Sequence, residues 1–302
     1  MIKLLLIIFT VILITMISMA YVLYNYALNP KSSKRGIFKN NKKKEPRKED
    51  LWVQNFANKK SVYIDSFDNL KLHAYEIDEN KSNKWAITAH GYMTNAEYMS
   101  SIAYKYYTLG YNVIIPNLRG HGKSQGNYIG MGWHDRLDII KWIEYILNKD
   151  KNAKILLHGV SMGAATVMMV SGEELPENVK VIIEDCGYTG VKEQLSYRLK
   201  SMFRLPSFPI LNICSGICKL KSDYFMSEAS AINQIKKSKT PTFFIHGAKD
   251  KFVPFYMLDK LYEACNAPKD KLIINNAGHA KCEKVNSDLY WDKVIKFINK
   301  YM

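Results

Sequence analysis

A sharp turn between a strand and a helix is predicted at residues 159–163, which are Gly-Val-Ser-Met-Gly. The apolar residues 153–158 before the turn favour a buried strand, and the small residues 164–169 after it favour a helix. Such a turn holds its serine at the apex in a strained conformation, and its flanking residues must be small because the two backbones pass closely. The motif therefore predicts that Ser161 is an exposed nucleophile.

Strands and helices alternate along residues 51–302. Strands are predicted at residues 61–65, 70–75, 85–89, 112–115, 153–158, 179–183, 242–245 and 271–274. Helices are predicted at residues 51–58, 95–109, 135–147, 256–265 and 289–301. Apolar strands separated by helices specify a mostly parallel sheet with helices on both faces. One α/β domain is therefore expected over residues 51–302.

Two further polar residues follow strands of this predicted sheet. In such a sheet the chemistry lies in the loops at the carboxyl ends of the strands. Asp250 follows the strand at residues 242–245, and His279 follows the strand at residues 271–274. With Ser161 they occur in the order nucleophile, acid, base. Asp185, at the end of an earlier strand, is the alternative acid.

Five stretches together resemble the α/β-hydrolase superfamily. They are residues 89–92 (Ala-His-Gly-Tyr), 117–124 (Asn-Leu-Arg-Gly-His-Gly-Lys-Ser), 159–163, 241–254 and 277–279 (Ala-Gly-His). Within the superfamily, residues 61–302 are most similar to membrane-tethered bacterial hydrolases grouped with serine aminopeptidase and monoglyceride-lipase-like sequences. The resemblance implies the α/β-hydrolase fold and a Ser-His-Asp triad, and it says little about the substrate. Asn117 stands where relatives often carry Asp, a departure expected to loosen a structural contact.

The triad residues have distinct expected roles. A serine hydroxyl is a poor nucleophile near neutral pH, so His279 is expected to take its proton and later deliver it to the leaving group. Asp250 is expected to orient the imidazole and to stabilise its cation. The oxyanion needs two N–H donors: that of Met162 and, by analogy with the family, that of Tyr92. No cofactor and no metal is expected, because the sequence has no H-x-x-x-H or C-x-x-C spacing.

Four other histidines, each of which precedes a glycine at a strand end or in a loop, are expected to orient backbone near the site. They are His90, His121, His158 and His246.

The alternation of strands and helices lapses at residues 189–225, where Pro206 and Pro209 separate two short helical pieces. In related hydrolases this segment forms a cap over the nucleophile. Its many apolar side chains either pack on the domain or line an acyl pocket, and both alternatives stay open. An acyl pocket would favour esters with an apolar acyl group as substrates, including lipid-like esters.

Two other functions remain as alternatives. A serine aminopeptidase or amidase would need an acidic group in the cap to bind a substrate amine, and the cap has only Glu193 and Asp223. A catalytically silent, membrane-tethered binding protein is less favoured, because the triad is complete in the sequence.

The N-terminus is predicted to be a transmembrane anchor at residues 1–28. No charged residue occurs from Leu4 to Leu28, and a helix of this length reaches about 37 Å, more than the roughly 30 Å of a bilayer core. Residues 18–20 (Ser-Met-Ala) have the form of a signal-peptide cleavage site, so cleavage after Ala20 is the alternative. The length of the apolar run favours an uncleaved anchor.

A basic linker is predicted at residues 29–50, which contain nine Lys and Arg residues. Cations beside a span attract anionic headgroups, and the positive-inside rule places the catalytic domain in the cytoplasm. The five cysteines show no disulfide framework, which agrees with a reducing compartment. An extracellular signal-anchored domain is the alternative.

Despite the net charge of +15, no nucleic-acid binding is expected, because no nucleic-acid motif is present. The sequence predicts no oligomeric state.

Overall fold

A central sheet of eight strands organises the computed structural model, which describes residues 1–32 and 45–302. The strands are β1 (Lys60–Asp65), β2 (Lys71–Ile77), β3 (Lys84–Ala89), β4 (Asn112–Pro116), β5 (Lys154–Val160), β6 (Val179–Asp185), β7 (Thr242–Gly247) and β8 (Lys269–Ile274). Their order across the sheet is β1-β2-β4-β3-β5-β6-β7-β8. β2 is antiparallel to β1 and β4, and the other neighbours are parallel. Every predicted strand is present, so the predicted fold class is confirmed.

Helices connect most of the strands. They are α1 (Ile2–Leu28), α2 (Trp52–Asn55), α3 (Ser100–Thr108), α4 (Asp135–Lys149), α5 (Met162–Val170), α6 (Val191–Phe203), α7 (Ile210–Ser222), α8 (Ala231–Ile235), α9 (Tyr256–Ala264), α10 (Cys282–Val285) and α11 (Ser287–Tyr301). Short 3₁₀ helices at Glu49–Leu51 and Ala96–Met99 precede α2 and α3. The short helices α8 and α10 were not predicted, because four or five residues are too few to show a helical period.

Both faces of the sheet are buried. Successive side chains of a strand point to opposite faces. In β3, Trp85 and Ile87 join the cluster that includes α4, α5 and α9, and Ala86 joins the cluster that includes α3 and α11. Burial on both faces explains why the central strands are continuous apolar runs in the sequence.

The end of α1 packs on the cap helix α7. Residues 2–19 contain no buried side chain, but Ala20, Tyr24 and Leu28 are buried. Their four-residue spacing places them on one face of the helix. The Tyr24 hydroxyl lies 2.9 Å from Oγ of Ser222 in α7. The sequence analysis treated residues 1–28 as a separate anchor and did not anticipate these contacts.

The predicted basic linker is described only at its ends, because residues 33–44 lie outside the described residues. Near its C-terminal end, a guanidinium nitrogen of Arg47 lies 2.8 Å from the Glu283 carboxylate of α10 and 3.3 Å from Asp50. This part of the segment is therefore held against the domain by ion pairs.

The side-chain amide of Asn117 makes two buried hydrogen bonds, and the expected loosening relative to an Asp stays a prediction. Its Oδ1 accepts the N–H of Ala96 at 2.9 Å, and its Nδ2 donates to Nδ1 of His73 at 2.8 Å. Burial lowers the pKa of His73 to about 4, so the ring is neutral and has an acceptor nitrogen. An ionised Asp at this position would lack the N–H that Asn117 donates.

Candidate active site

The turn between β5 and α5 has the strained geometry that the motif predicts. Ser161 has φ 58° and ψ −115°, a conformation that costs a non-glycine residue about 1–3 kcal/mol. A Cβ on Gly163 would overlap the backbone of Ala89, and one on Gly159 would overlap the backbone of Gly163. Only glycine fits at these two positions, and the close approach of β3, β5 and α5 holds the serine at the apex.

The structure brings Ser161, His279 and Asp250 together at the carboxyl ends of β5, β8 and β7. Oγ of Ser161 lies 2.7 Å from Nε2 of His279, and Nδ1 of His279 lies 2.7 Å from Oδ2 of Asp250. When Nδ1–H donates to an ionised Asp250, Nε2 is the acceptor for the serine hydroxyl. The arrangement can therefore move a proton from the serine to the imidazole.

Asp250 is held ionised by its neighbours. Its Oδ1 accepts the N–H groups of Phe252 at 2.8 Å and Val253 at 3.0 Å. Burial alone would raise the pKa of the Asp250 carboxyl, but hydrogen bonds and charge from His246 and His279 outweigh burial and lower that pKa below its usual range. The ionised carboxylate is the form that stabilises an imidazolium.

His246 is a second partner of Asp250 that the sequence analysis missed. It was expected to orient backbone, and its Nε2 does lie 3.1 Å from the carbonyl oxygen of Val253. The same nitrogen lies 3.4 Å from Oδ2 of Asp250. Burial would lower the pKa of His246, but the interaction with Asp250 outweighs burial and raises it. The four-residue spacing of His246 and Asp250 across the loop after β7 was the available hint in the sequence.

Asp185, the alternative acid, bonds to a different group. Its Oδ2 accepts the hydroxyl of Tyr290 at 3.1 Å. Burial raises the pKa of its carboxyl to about 6. The side chain that reaches His279 with a hydrogen bond is that of Asp250, so the geometry favours Asp250 as the acid.

The two predicted oxyanion donors flank Ser161. Met162 is the first residue of α5, where helix N–H groups have no carbonyl partner within the helix. The carbonyl of Gly91 accepts from Nδ1 of His90 and from Oγ1 of Thr94, both at 2.8 Å. In a trans peptide this turns the N–H of Tyr92 to the opposite side. The roles of Met162 and Tyr92 stay predictions.

His90 holds this loop in place, as expected for a structural histidine. Its Nε2 accepts the N–H of Leu118 at 3.0 Å. Burial lowers the pKa of His90 to about 3, so the ring is neutral and its Nδ1–H is free to donate to Gly91.

A mostly apolar cavity opens beside Ser161, between α1 and the cap. It encloses about 830 Å³ when the space at its open mouth is counted. The apolar side chains that line it include Leu23, Leu195, Leu199, Met202, Phe203 and Phe252. Some of the cap's apolar side chains line this cavity, and others, such as Cys218, are buried in the core. That the cavity is an acyl pocket stays a prediction.

Among the described residues that line the cavity, Arg198 on α6 is the one with a charged side chain. Its guanidinium carbon lies 4.4 Å from the ring centroid of Phe252, whose ring in turn lies 4.7 Å from that of His279. Burial lowers the pKa of Arg198, but an arginine stays charged at neutral pH. The sequence analysis did not single out Arg198 or Phe252.

The ligand atoms of Cys186, Asp250 and His279 lie within 4.8 Å of one another, the spacing that a metal site needs. Asp250 and His279, however, are hydrogen-bonded to each other, and burial raises the pKa of the Cys186 thiol well above its usual value. A metal here would have to break the bond that orients His279. The expectation of no metal and no cofactor stays a prediction.

Comparisons with known proteins agree with this geometry. A family model described as alpha/beta hydrolase fold matches residues 87–212, a range that includes Ser161 and part of the cap. The uncharacterised protein YqkD of Bacillus subtilis is 30% identical over 242 residues, which cover 80% of this chain and 79% of that protein. The chain belongs to the α/β-hydrolase family.

Solved α/β-hydrolase structures share the fold. Esterase Pf2001 of Pyrococcus furiosus is 25% identical with a TM-score of 0.67, over 81% of this chain and 93% of the esterase. The acylaminoacyl peptidase of Pyrococcus horikoshii shares the fold alone, at 17% identity and a TM-score of 0.60, over 80% of this chain and 41% of the peptidase. This α/β-hydrolase therefore has both esterases and peptidases among its structural neighbours.

The N-terminal helix α1 is long and apolar enough to cross a membrane. An uncharacterised membrane protein of Saccharomyces cerevisiae is 25% identical to this α/β-hydrolase over 236 residues, 76% of each protein.

Proposed function

We propose that the protein is a serine hydrolase that cleaves carboxylic esters with an apolar acyl group through an acyl-enzyme. The observation that carries the proposal is the hydrogen bond of 2.7 Å between Oγ of Ser161 and Nε2 of His279, at the edge of an apolar cavity. A nucleophile within hydrogen-bond reach of a base, which is itself oriented by a carboxylate, is the arrangement that nucleophilic catalysis needs.

In the first half of the reaction, Oγ of Ser161 bonds to the ester carbonyl carbon as its proton passes to Nε2 of His279. The N–H groups of Met162 and Tyr92 stabilise the oxyanion, and Asp250 stabilises the imidazolium. Collapse of the intermediate breaks the bond to the alcohol, which leaves with the proton of Nε2. Water then attacks the acyl carbon, gives a proton to His279, and releases the acid as that proton returns to Ser161.

The charges around the cavity favour esters over substrates with a free amine. An aminopeptidase would need an acidic group near the nucleophile, but the charged side chain that lines the cavity is the cation Arg198. The two acidic residues considered for this role are paired elsewhere: Glu193 lies 2.8 Å from Lys260, and Asp223 lies 2.8 Å from Lys219. A substrate ammonium group would therefore meet repulsion at this site.

A membrane location is part of the proposal. α1 would span the bilayer, and the basic segment at residues 29–50 would lie at the cytoplasmic surface under the positive-inside rule. An extracellular domain remains the alternative. Proteolysis of sealed vesicles, followed by detection of the C-terminal domain, would distinguish the two orientations.

The test of the catalytic assignment is Ser161→Ala in the full chain, assayed on p-nitrophenyl esters and aminoacyl p-nitroanilides. We expect wild type to cleave the esters and the variant to lose at least about 10⁴-fold in kcat, because the acyl-enzyme cannot form. The matched control is Ser171→Ala, since Ser171 is a buried serine at the end of α5. Full activity in Ser161→Ala would refute the proposal, and faster cleavage of the anilides would establish the amidase alternative.

A further inference from the structure

One wall of the cavity beside Ser161 is built by α1. The last two turns of the helix contribute the side chains of Leu23, Tyr24, Tyr26 and Ala27, opposite those of the cap helix α6. The rings of Tyr26 and of Phe203 in α6 meet at 6.1 Å between centroids, with an interplanar angle of 81°. The helix that is apolar enough to cross a membrane is thus also part of the lining of the candidate acyl site.

Hydrogen bonds to two backbone carbonyls of α1 fix this wall to the domain. The carbonyl of Ala27 accepts the hydroxyl of Tyr92 at 2.7 Å, and that of Leu28 accepts the N–H of Ile129 at 2.7 Å. Tyr92 is also the residue whose N–H is the predicted oxyanion donor. The position of α1 is therefore coupled through Tyr92 to the loop beside Ser161.

The cavity lies next to the part of α1 that would leave the bilayer. Residues 2–19 have no buried side chain and are about 27 Å long as a helix, close to the roughly 30 Å of a hydrocarbon core. Leu23 and Ala27 lie about 6 and 12 Å beyond residue 19 along the helix axis. A lipid chain needs to move only this far from the bilayer to contact the cavity.

The cap has the surface expected of a segment that rests on lipid. It carries four exposed large apolar side chains: Phe203, Phe208, Leu220 and Phe225. Beside α1, Nζ of Lys221 lies 4.8 Å from the ring centroid of Tyr21. Tyrosine and lysine are side chains that sit at the headgroup level of a membrane, with an apolar body and a polar end.

We infer that the cavity takes the acyl chain of a single-chain lipid ester directly from the bilayer, with α1 acting as a wall of the binding site as well as an anchor. This inference rests on the proposed ester hydrolysis. The chain would lie between α1 and α6, and its ester would lie at Ser161. Passage from lipid to an adjoining apolar cavity keeps the methylenes out of water, whose contact with them is unfavourable.

The test fills the cavity from the α1 side. Leu23→Trp places a larger ring in the cavity, and Val22→Trp is the matched control because Val22 is 64% exposed on the same turn. The full-chain protein is reconstituted in phosphatidylcholine vesicles. Each variant is assayed on monopalmitoylglycerol in the bilayer and on monobutyrylglycerol in solution. The two esters differ in the length of the acyl chain and therefore in their partition into the bilayer.

We expect wild type to prefer the palmitoyl ester, and Leu23→Trp to lower kcat/KM for it at least tenfold, equivalent to about 1.4 kcal/mol. In Leu23→Trp the loss of kcat/KM for the butyryl ester should be at least about threefold smaller than the loss for the palmitoyl ester, and neither substrate should change in Val22→Trp. Unchanged palmitoyl hydrolysis in Leu23→Trp, or an equal loss for both substrates in a folded protein, would overturn the inference.

Labelling of Ser161 by a fluorophosphonate separates the possible failures. A wild-type protein that is labelled and cleaves monobutyrylglycerol, but does not cleave monopalmitoylglycerol in vesicles, would refute the α1-walled lipid site alone. A folded protein that is neither labelled nor active on either ester would refute the proposed function. If Leu23→Trp is not labelled, Leu23→Phe is the second variant, because its smaller ring fills less of the cavity and should still lower the preference for the palmitoyl ester.

Discussion

Replacing Asp250 by Asn tests how the acid acts on His279. Oδ1 of Asp250 accepts two N–H groups, from Phe252 and Val253, while Oδ2 faces Nδ1 of His279. An Asn amide keeps an acceptor toward the two N–H groups only if its carbonyl oxygen takes the place of Oδ1. Its NH₂ group then faces His279 as a donor, so Nδ1 must become the acceptor and Nε2 must carry the proton.

The consequence is a large loss of rate without a loss of fold. With the proton on Nε2, His279 cannot accept the proton of Ser161, and the wrong tautomer in a triad of this type lowers kcat by about 10⁴-fold, or about 5.5 kcal/mol in activation free energy. The assay is kcat on a p-nitrophenyl ester, with circular dichroism as the folding check.

The matched control for Asp250→Asn is Asp185→Asn, because Asp185 bonds to Tyr290 and has its carboxyl pKa raised to about 6 by burial. The carbonyl oxygen of an Asn there can still accept the Tyr290 hydroxyl, so kcat should fall less than about tenfold. The reasoning would be refuted if Asp250→Asn kept more than about a tenth of the wild-type kcat. It would also be refuted if Asp185→Asn lowered kcat more than Asp250→Asn does.

Two other substitutions probe the surroundings of the site. Thr94→Val removes the hydroxyl that donates to the Gly91 carbonyl, so kcat should fall about fivefold, the equivalent of one hydrogen bond. An unchanged kcat in steady-state kinetics would mean that the hydrogen bond from His90 alone orients the peptide between Gly91 and Tyr92. Burial raises the pKa of Glu184 to about 8 from an ordinary 4.5, so the unfolded state ionises first and stability falls as the pH rises from about 4.5 to 8. Glu184→Gln should therefore raise the Tm at pH 8 and leave it nearly unchanged at pH 4.5, and a Tm difference that is the same at both pH values would contradict this account.

The sheet and the triad could be predicted because their determinants are local. Strands buried on both faces are continuous apolar runs, which a single sequence displays, and parallel strands place their following loops at one edge. That rule is enough to bring Ser161, Asp250 and His279 together, although Asp250 and Ser161 are far apart in the chain. Met162 and Tyr92 followed from the same turn and from the family resemblance.

The contacts of α1 could not be predicted in the same way. An apolar helix with no charged face predicts a membrane span, but its composition does not show which residues face protein. The stripe of Ala20, Tyr24 and Leu28 becomes informative only when α7 is seen beside it. The partners of Asn117, which are the N–H of Ala96 and the ring of His73, are likewise set by the packing of distant segments, which spacing along the sequence does not reveal.

The central claim, that Ser161 is a nucleophile activated by His279 and Asp250, is tested most directly by mass spectrometry of the full-length protein after reaction with a fluorophosphonate. The account predicts a single covalent adduct that maps to Ser161, is absent in Ser161→Ala and forms much more slowly in Asp250→Asn. A folded protein that gains no adduct, or an adduct that maps to another residue and persists in Ser161→Ala, would contradict it.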